Sequence, residues 1–220
     1  GIIGSTSSNG EITDVTSTVD ITVTDKGLVG HGEAGGIAGF NGVVIKNAVS
    51  KGDIIVSTNL DEAREIGGIA GISTNRIVNI RHEGTVSGIS EVGGLVGVNT
   101  SDITKSVSIG DVKGSSNKIG GLVGRNQFGD IVSSKASSNV EGVDNVGGLA
   151  GLLEARSESN VVSSYAEGSV NGRKSVGGLV GKMVSGTSVQ ESFAVGKVSG
   201  DEDTGGLVGA NAGSIQNSFW

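Results

Sequence analysis

The sequence predicts an all-β fold: a β-solenoid (β-helix) of about eight coils, each of about 27 residues and three short strands, forming one repeat domain over residues 1–220. Three observations predict it. The pentapeptide Gly-Gly-(Ile/Leu)-(Ala/Val)-Gly starts at Gly35, Gly67, Gly93, Gly120, Gly147, Gly177 and Gly205, at spacings of 32, 26, 27, 27, 30 and 28 residues. A recurrence of that length marks units that bury their apolar faces only against neighbouring units. Val and Ile total 49 residues against 9 Leu, and β-branched side chains suit a pleated surface better than a helix. Glycine accounts for 41 residues, where ordinary usage near 7% would give roughly 15. There is no Gly-X-Y register and no proline, so collagen is excluded.

Each coil reads in the same order. An apolar residue precedes most pentapeptides (Ile66, Val92, Ile119, Val146, Val176), with Ala34 and Thr204 as small exceptions. A short polar turn follows the pentapeptide, and then an opener: Ile12, Ile45, Ile77, Ile103, Ile131, Val161, Val189 or Ile215. Nine residues after each of the first seven openers stands another β-branched residue, at Ile21, Ile54, Val86, Val112, Val140, Val170 and Val198. Stacking puts like residues above like at about 4.8 Å, so these columns are expected to fill a narrow interior. Length differences gather at Leu60 to Glu65 and Leu152 to Asn160, where enlarged turns are expected. A truncated pentapeptide, Gly1-Ile2-Ile3-Gly4, opens the chain, which is expected to be a fragment of a longer protein with flanking domains.

Composition narrows the function classes. A net charge of −7 with no Lys/Arg-rich run argues against nucleic acid, because phosphate binding needs clustered cations. No stretch approaches 18 consecutive apolar residues, so no membrane insertion is expected. The absence of Cys excludes disulfides and thiolate metal sites.

The pattern Val-Gly-Gly-Leu-Val-Gly-x-Asn followed by Ile-x-x-Ser-(aromatic)-Ala-x-Gly-x-Val resembles the bacterial GLUG repeat. Its clearest stretches are Val92 to Asn99, Ile119 to Asn126, Val161 to Val170 and Val189 to Val198. The resemblance implies a repeat region of large secreted or surface-attached bacterial proteins, among them adhesin-like chains and the non-catalytic regions of IgA1-specific metallopeptidases. It therefore implies an extracellular, cell-surface location, and it carries no catalytic residue over to this chain. The Asn after the pentapeptide stands at Asn41, Asn99, Asn126 and Asn211 but is replaced by Ser73, Leu153 and Met183. A full-length asparagine ladder is not expected.

A search for chemistry finds little. Zinc peptidase chemistry needs two histidines one helical turn apart with a general-base Glu. Here His82-Glu83 is followed by Gly84-Thr85-Val86, and the other histidine is His31. His82 shares its column with Ser50, Ser108, Ala136 and Ala166, so it reads as structural. The run Gly30-x-Gly32-x-x-Gly35 lacks the strand and helix that a dinucleotide site requires. Asp61-Glu62 and Asp201-Glu202-Asp203 read as solvated turns rather than weak calcium sites. No enzyme activity, metal or cofactor is expected.

One column stands apart. Four residues after each opener come Thr16, Val49, Arg81, Val107, Lys135, Tyr165, Phe193 and Phe219. If these point outward, Tyr165, Phe193 and Phe219 form an aromatic ladder and are the candidate ligand-binding residues, with a host protein or glycan as partner. The expected function is a non-catalytic module acting as adhesive surface or structural stalk. The alternatives are a substrate-recognition domain of a large secreted metallopeptidase, and a carbohydrate-active β-helix.

Overall fold

The computed structural model describes residues 1–7, 10–24, 32–57, 65–155 and 159–220. His31, Gly30, Asp61-Glu62, most of the enlarged turn from Leu60 and the middle of the one from Leu152 lie outside them. The described residues are all-β and every strand pairing is parallel, with about 28 residues per turn of the solenoid. One turn shows the pattern. Its strands are Val92–Gly93, Val96–Asn99, Ile103–Thr104, Val107–Ile109 and Val112–Gly114. Each pairs with its counterparts in the turns before and after, which builds five parallel sheets of seven or eight strands.

Five strands per turn, rather than three, follow from two breaks. The Gly-Gly pair bends the first arm between Val92–Gly93 and Val96–Asn99. The second arm breaks two residues after the opener, where Asp14, Asn47, Asn79, Lys105, Ser133, Ser163, Glu191 and Asn217 all have φ between 46° and 56°. Left-handed backbone interrupts a strand, and Asn and Asp accept it more readily than most residues.

The three apolar columns hold. Ile45, Ile77, Ile103, Ile131, Val161 and Val189 lie in register, as do Ile54, Val86, Val112, Val140 and Val170. The column before the pentapeptide, Ile66 to Val176, is likewise paired turn by turn. The interior forms two compartments. One sets the openers against the third pentapeptide residue (Ile37, Ile69, Leu95, Leu122, Leu149, Leu179). The other sets Val86, Val112 and Val140 against Val92, Ile119 and Val146. Fully burying such a side chain contributes about 1.5–3 kcal/mol, so the columns are the main source of cohesion.

The pentapeptide glycines mark close backbone approach. A Cβ on Gly94 would sit 2.1 Å from the Gly121 carbonyl oxygen, and one on Gly97 would sit 2.5 Å from the Ile66 nitrogen. Polar staples reinforce the turns. Ser134 Oγ accepts from the Ser106 N–H at 3.2 Å and donates to the Val132 carbonyl at 2.9 Å, and Ser164 and Ser192 repeat the arrangement. The asparagine column runs in short pieces, as its sequence implied. Asn41 Nδ2 donates to Ser73 Oγ at 3.0 Å, and Asn99 Nδ2 to Asn126 Oδ1 at 2.6 Å. Where Leu153 interrupts the column, Asn126 donates instead to Ser159 Oγ at 2.8 Å. The buried carboxylate of Glu91 is satisfied by Lys118 at 2.7 Å and Arg125 at 3.4 Å, as a buried charge requires.

Candidate functional site

The aromatic column sits on the sheet that runs from Thr16–Ser17 to Phe193–Val195. Its orientation follows from strand alternation. Ala166 and Ala194 point inward and are buried, so their neighbours Tyr165 and Phe193 point outward. Register then places Lys135 beside Tyr165, Tyr165 beside Phe193, and Phe193 beside Phe219. All three candidate residues are thus brought together on one face.

The ring geometry is specific. Tyr165 and Phe193 stack with centroids 4.8 Å apart and planes 6° from parallel, and Phe193 and Phe219 at 5.4 Å and 4°. Lys135 Nζ lies 5.0 Å from the Tyr165 centroid, closing the stack with a cation–π contact. Each inner ring face is therefore covered by a ring or an ammonium, and the solvent meets ring edges. Phe219, 65% exposed, keeps one open face.

The flanks were not anticipated from sequence. Lys135 Nζ pairs with Glu167 Oε2 at 2.8 Å, and Ser137 Oγ donates to the same oxygen at 3.1 Å. The Lys135–Glu167 hydrogen bond is the main reason that the Lys135 pKa lies above, and the Glu167 pKa below, its ordinary value. The pair cancels its own charge, leaving the strip apolar in character. Val195, two residues after Phe193, points out on the same side and is 58% exposed. Alternation along Phe193–Val195 would have identified it. Trp220 follows Phe219, lies over Gly206 and donates its indole N–H to the Gly196 carbonyl at 3.3 Å. The first half of the column carries no ring, and there Arg81 pairs with Glu83.

The other acidic candidates lie apart from this strip. Glu202 pairs with Lys174 at 3.0 Å on an exposed strand, and Asp201 and Asp203 are solvated beside it. Among the described residues, no three His, Asp or Glu side chains form a group that could hold a metal ion. Among them, too, no helix is long and apolar enough to cross a membrane.

No protein-family model matches the chain, and no curated protein matches it. Among solved structures, a candidate immunoglobulin A1 protease from Bacteroides ovatus shares the fold, with a TM-score of 0.59 and 19% identity. The match covers 96% of this chain and 66% of that one, so this chain spans just under two thirds of its length. At this identity the likeness concerns the fold. On that footing the chain is a β-solenoid structural module, with an architecture shared by that Bacteroides protein.

Proposed function

We propose that this chain is a non-catalytic GLUG-repeat module of a secreted or cell-surface bacterial protein, and that it holds a partner on the strip formed by Tyr165, Phe193 and Phe219. The observation that carries the reading is the outward ladder itself. Three of the chain's aromatic residues line one face of a protein in which only 3% of residues are aromatic, and clustered exposed apolar side chains mark contact surfaces. The ring geometry favours a protein partner over a glycan. Sugars pack on open ring faces, whereas the faces of Tyr165 and Phe193 are covered within the stack, which presents their edges together with Val195 and leaves a single open face, on Phe219.

A second reading draws on the structural neighbour's name. The module would then be a substrate-recognition part of a large extracellular peptidase, holding its protein substrate on the same strip. Both readings place the module outside the cell, beside flanking domains of one longer chain. A carbohydrate-active β-helix has less support, because Glu91, Glu154, Glu167 and Glu202 are each engaged in ion pairs.

The test compares the parent with Tyr165→Ala/Phe193→Ala on immobilised host surface proteins, immunoglobulin A1 included, and on a glycan array. The parent is expected to bind a protein. The double variant should bind it at least tenfold more weakly, since buried aromatic contacts dominate interfaces at about 2 kcal/mol or more each. Its circular dichroism should remain that of a β-solenoid. Equal binding by the two proteins overturns the strip as a contact surface, and ring-dependent binding on the glycan array alone overturns the preference for protein.

A further inference from the structure

We propose that His82 makes its turn of the solenoid an acid-labile joint, which opens in mildly acidic solution while the turns that carry the aromatic ladder stay folded. The inward column beside the ladder runs Ser17, Ser50, His82, Ser108, Ala136, Ala166, Ala194 in register. Every member except His82 is small. His82 is nevertheless fully buried, and among the described residues neither Nδ1 nor Nε2 has a hydrogen-bond partner of ordinary geometry. Its stacked neighbours do not engage it, and the hydroxyls of Ser50 and Ser108 are likewise buried without partners among the described residues. The ring fits only because Gly68 faces it. A Cβ there would lie 2.3 Å from the imidazole Cγ and Cδ2.

Protonation has no good outcome in this position. The imidazolium needs acceptors for two N–H groups and carries a charge into an apolar interior where only the backbone near Gly84 and Ser50 can serve it, which does not offset the lost hydration. Burial is the leading cause that pushes the His82 pKa down, to about 4. The charges around it are few. On its own strand Arg81 and Glu83 face outward and pair with each other, and Glu83 is held below the usual carboxylate range chiefly by that hydrogen bond. From the preceding turn Lys51 reaches Glu83 at 3.8 Å, and Asp53 caps the Thr85 N–H at 2.7 Å. Ser108 of the following turn is flanked by Val107 and Ile109, and the turns at Gly68 and Gly94 bring only glycine. Asp53, Glu83 and the backbone near Gly84 and Ser50 favour the protonated ring, but burial outweighs them.

The sign follows. The opened turn titrates near the free value of about 6.5 and the closed turn lower, so closure is fully favoured above about pH 6.5 and is lost as pH falls toward about 4. That difference raises the opening constant about 20-fold by about pH 5 relative to neutral pH. A solenoid turn is coupled only to its neighbours, so the opening stays local.

Hydrogen exchange on the full chain, corrected for intrinsic rates, tests this at neutral and mildly acidic pH with the parent and His82→Ser. Serine is what this column carries on either side, so the variant is expected to fold. Amides from Arg81 to Val86 in the parent should lose about 20-fold protection by about pH 5. Amides of Tyr165–Glu167 should not, and His82→Ser should be flat throughout. A uniform acid loss across all turns, or the same profile in both proteins, overturns the proposal. Should the variant fail to fold, the His82 imidazole resonance in a His31→Gln background decides: titration near 6.5 in the folded chain overturns the joint, and titration well below it supports it.

Discussion

Replacing Val112 or Val140 by aspartate is expected to unfold the middle of the solenoid. Each valine is 1% exposed, pairs with the other across one turn, and packs in the compartment that also holds Ile119 and Val146. The change removes a buried side chain worth about 1.5–3 kcal/mol. It also places a carboxylate where neither water nor a cation reaches it, at a further cost of several kcal/mol. The sum, on the order of 5 kcal/mol, rivals the whole stability of an ordinary domain. Circular dichroism should show loss of the β signal or a melting transition lowered by more than 10 °C, as roughly follows from such a loss in a chain of this size. Lys135→Asp is the comparison. It loses the Glu167 pair and the cation over Tyr165, and partly exposed contacts of that kind contribute about 1 kcal/mol or less each. Equal melting shifts for the three variants would refute the assignment of inward and outward faces.

Gly94→Ala should be nearly as damaging, although it adds one methyl group. That carbon would fall 2.0 Å from Ser108 Oγ and 2.1 Å from the Gly121 carbonyl oxygen. The hydroxyl can rotate away, but the carbonyl belongs to the backbone of the next turn, so the stack itself must separate. Overpacking of this kind costs about 1–3 kcal/mol and more where backbone must move. Gly4→Ala meets nothing within 4 Å and should be neutral or stabilise by up to about 1 kcal/mol, through the restricted unfolded chain. Denaturant titration of both variants checks the contrast. A Gly94→Ala midpoint no lower than that of Gly4→Ala would mean that the pentapeptide glycines are not there for close approach.

Much of the solenoid was legible in the order of residues, for a physical reason. A parallel stack places each residue against its counterpart one turn away, so a column in space is a periodicity in sequence. The openers, the Ile54 to Val170 column and the residues before the pentapeptide could each be read that way, and all pair as read. The ladder was legible by the same rule, since Tyr165, Phe193 and Phe219 share one repeat position and the first two alternate with the inward Ala166 and Ala194.

Other features depend on the backbone path and on neighbours that no period reveals. The break in the second arm arises from left-handed residues as unlike as Asn79, Lys105 and Ser133, so composition does not announce it. The Lys135–Glu167 pair bridges adjacent columns of adjacent turns. Whether the rings would show faces or edges depended on side-chain rotation, and stacking at 4.8 Å decided it. The sequence placed His82 in a column of small residues, but only packing showed that nothing there would share its hydrogen bonds. By itself, then, the sequence determined what lies above what, because strand pairing at one spacing repeats the chain's own period. The tertiary structure alone decided bend, rotation and satisfaction, because each is settled by contacts between columns rather than along them.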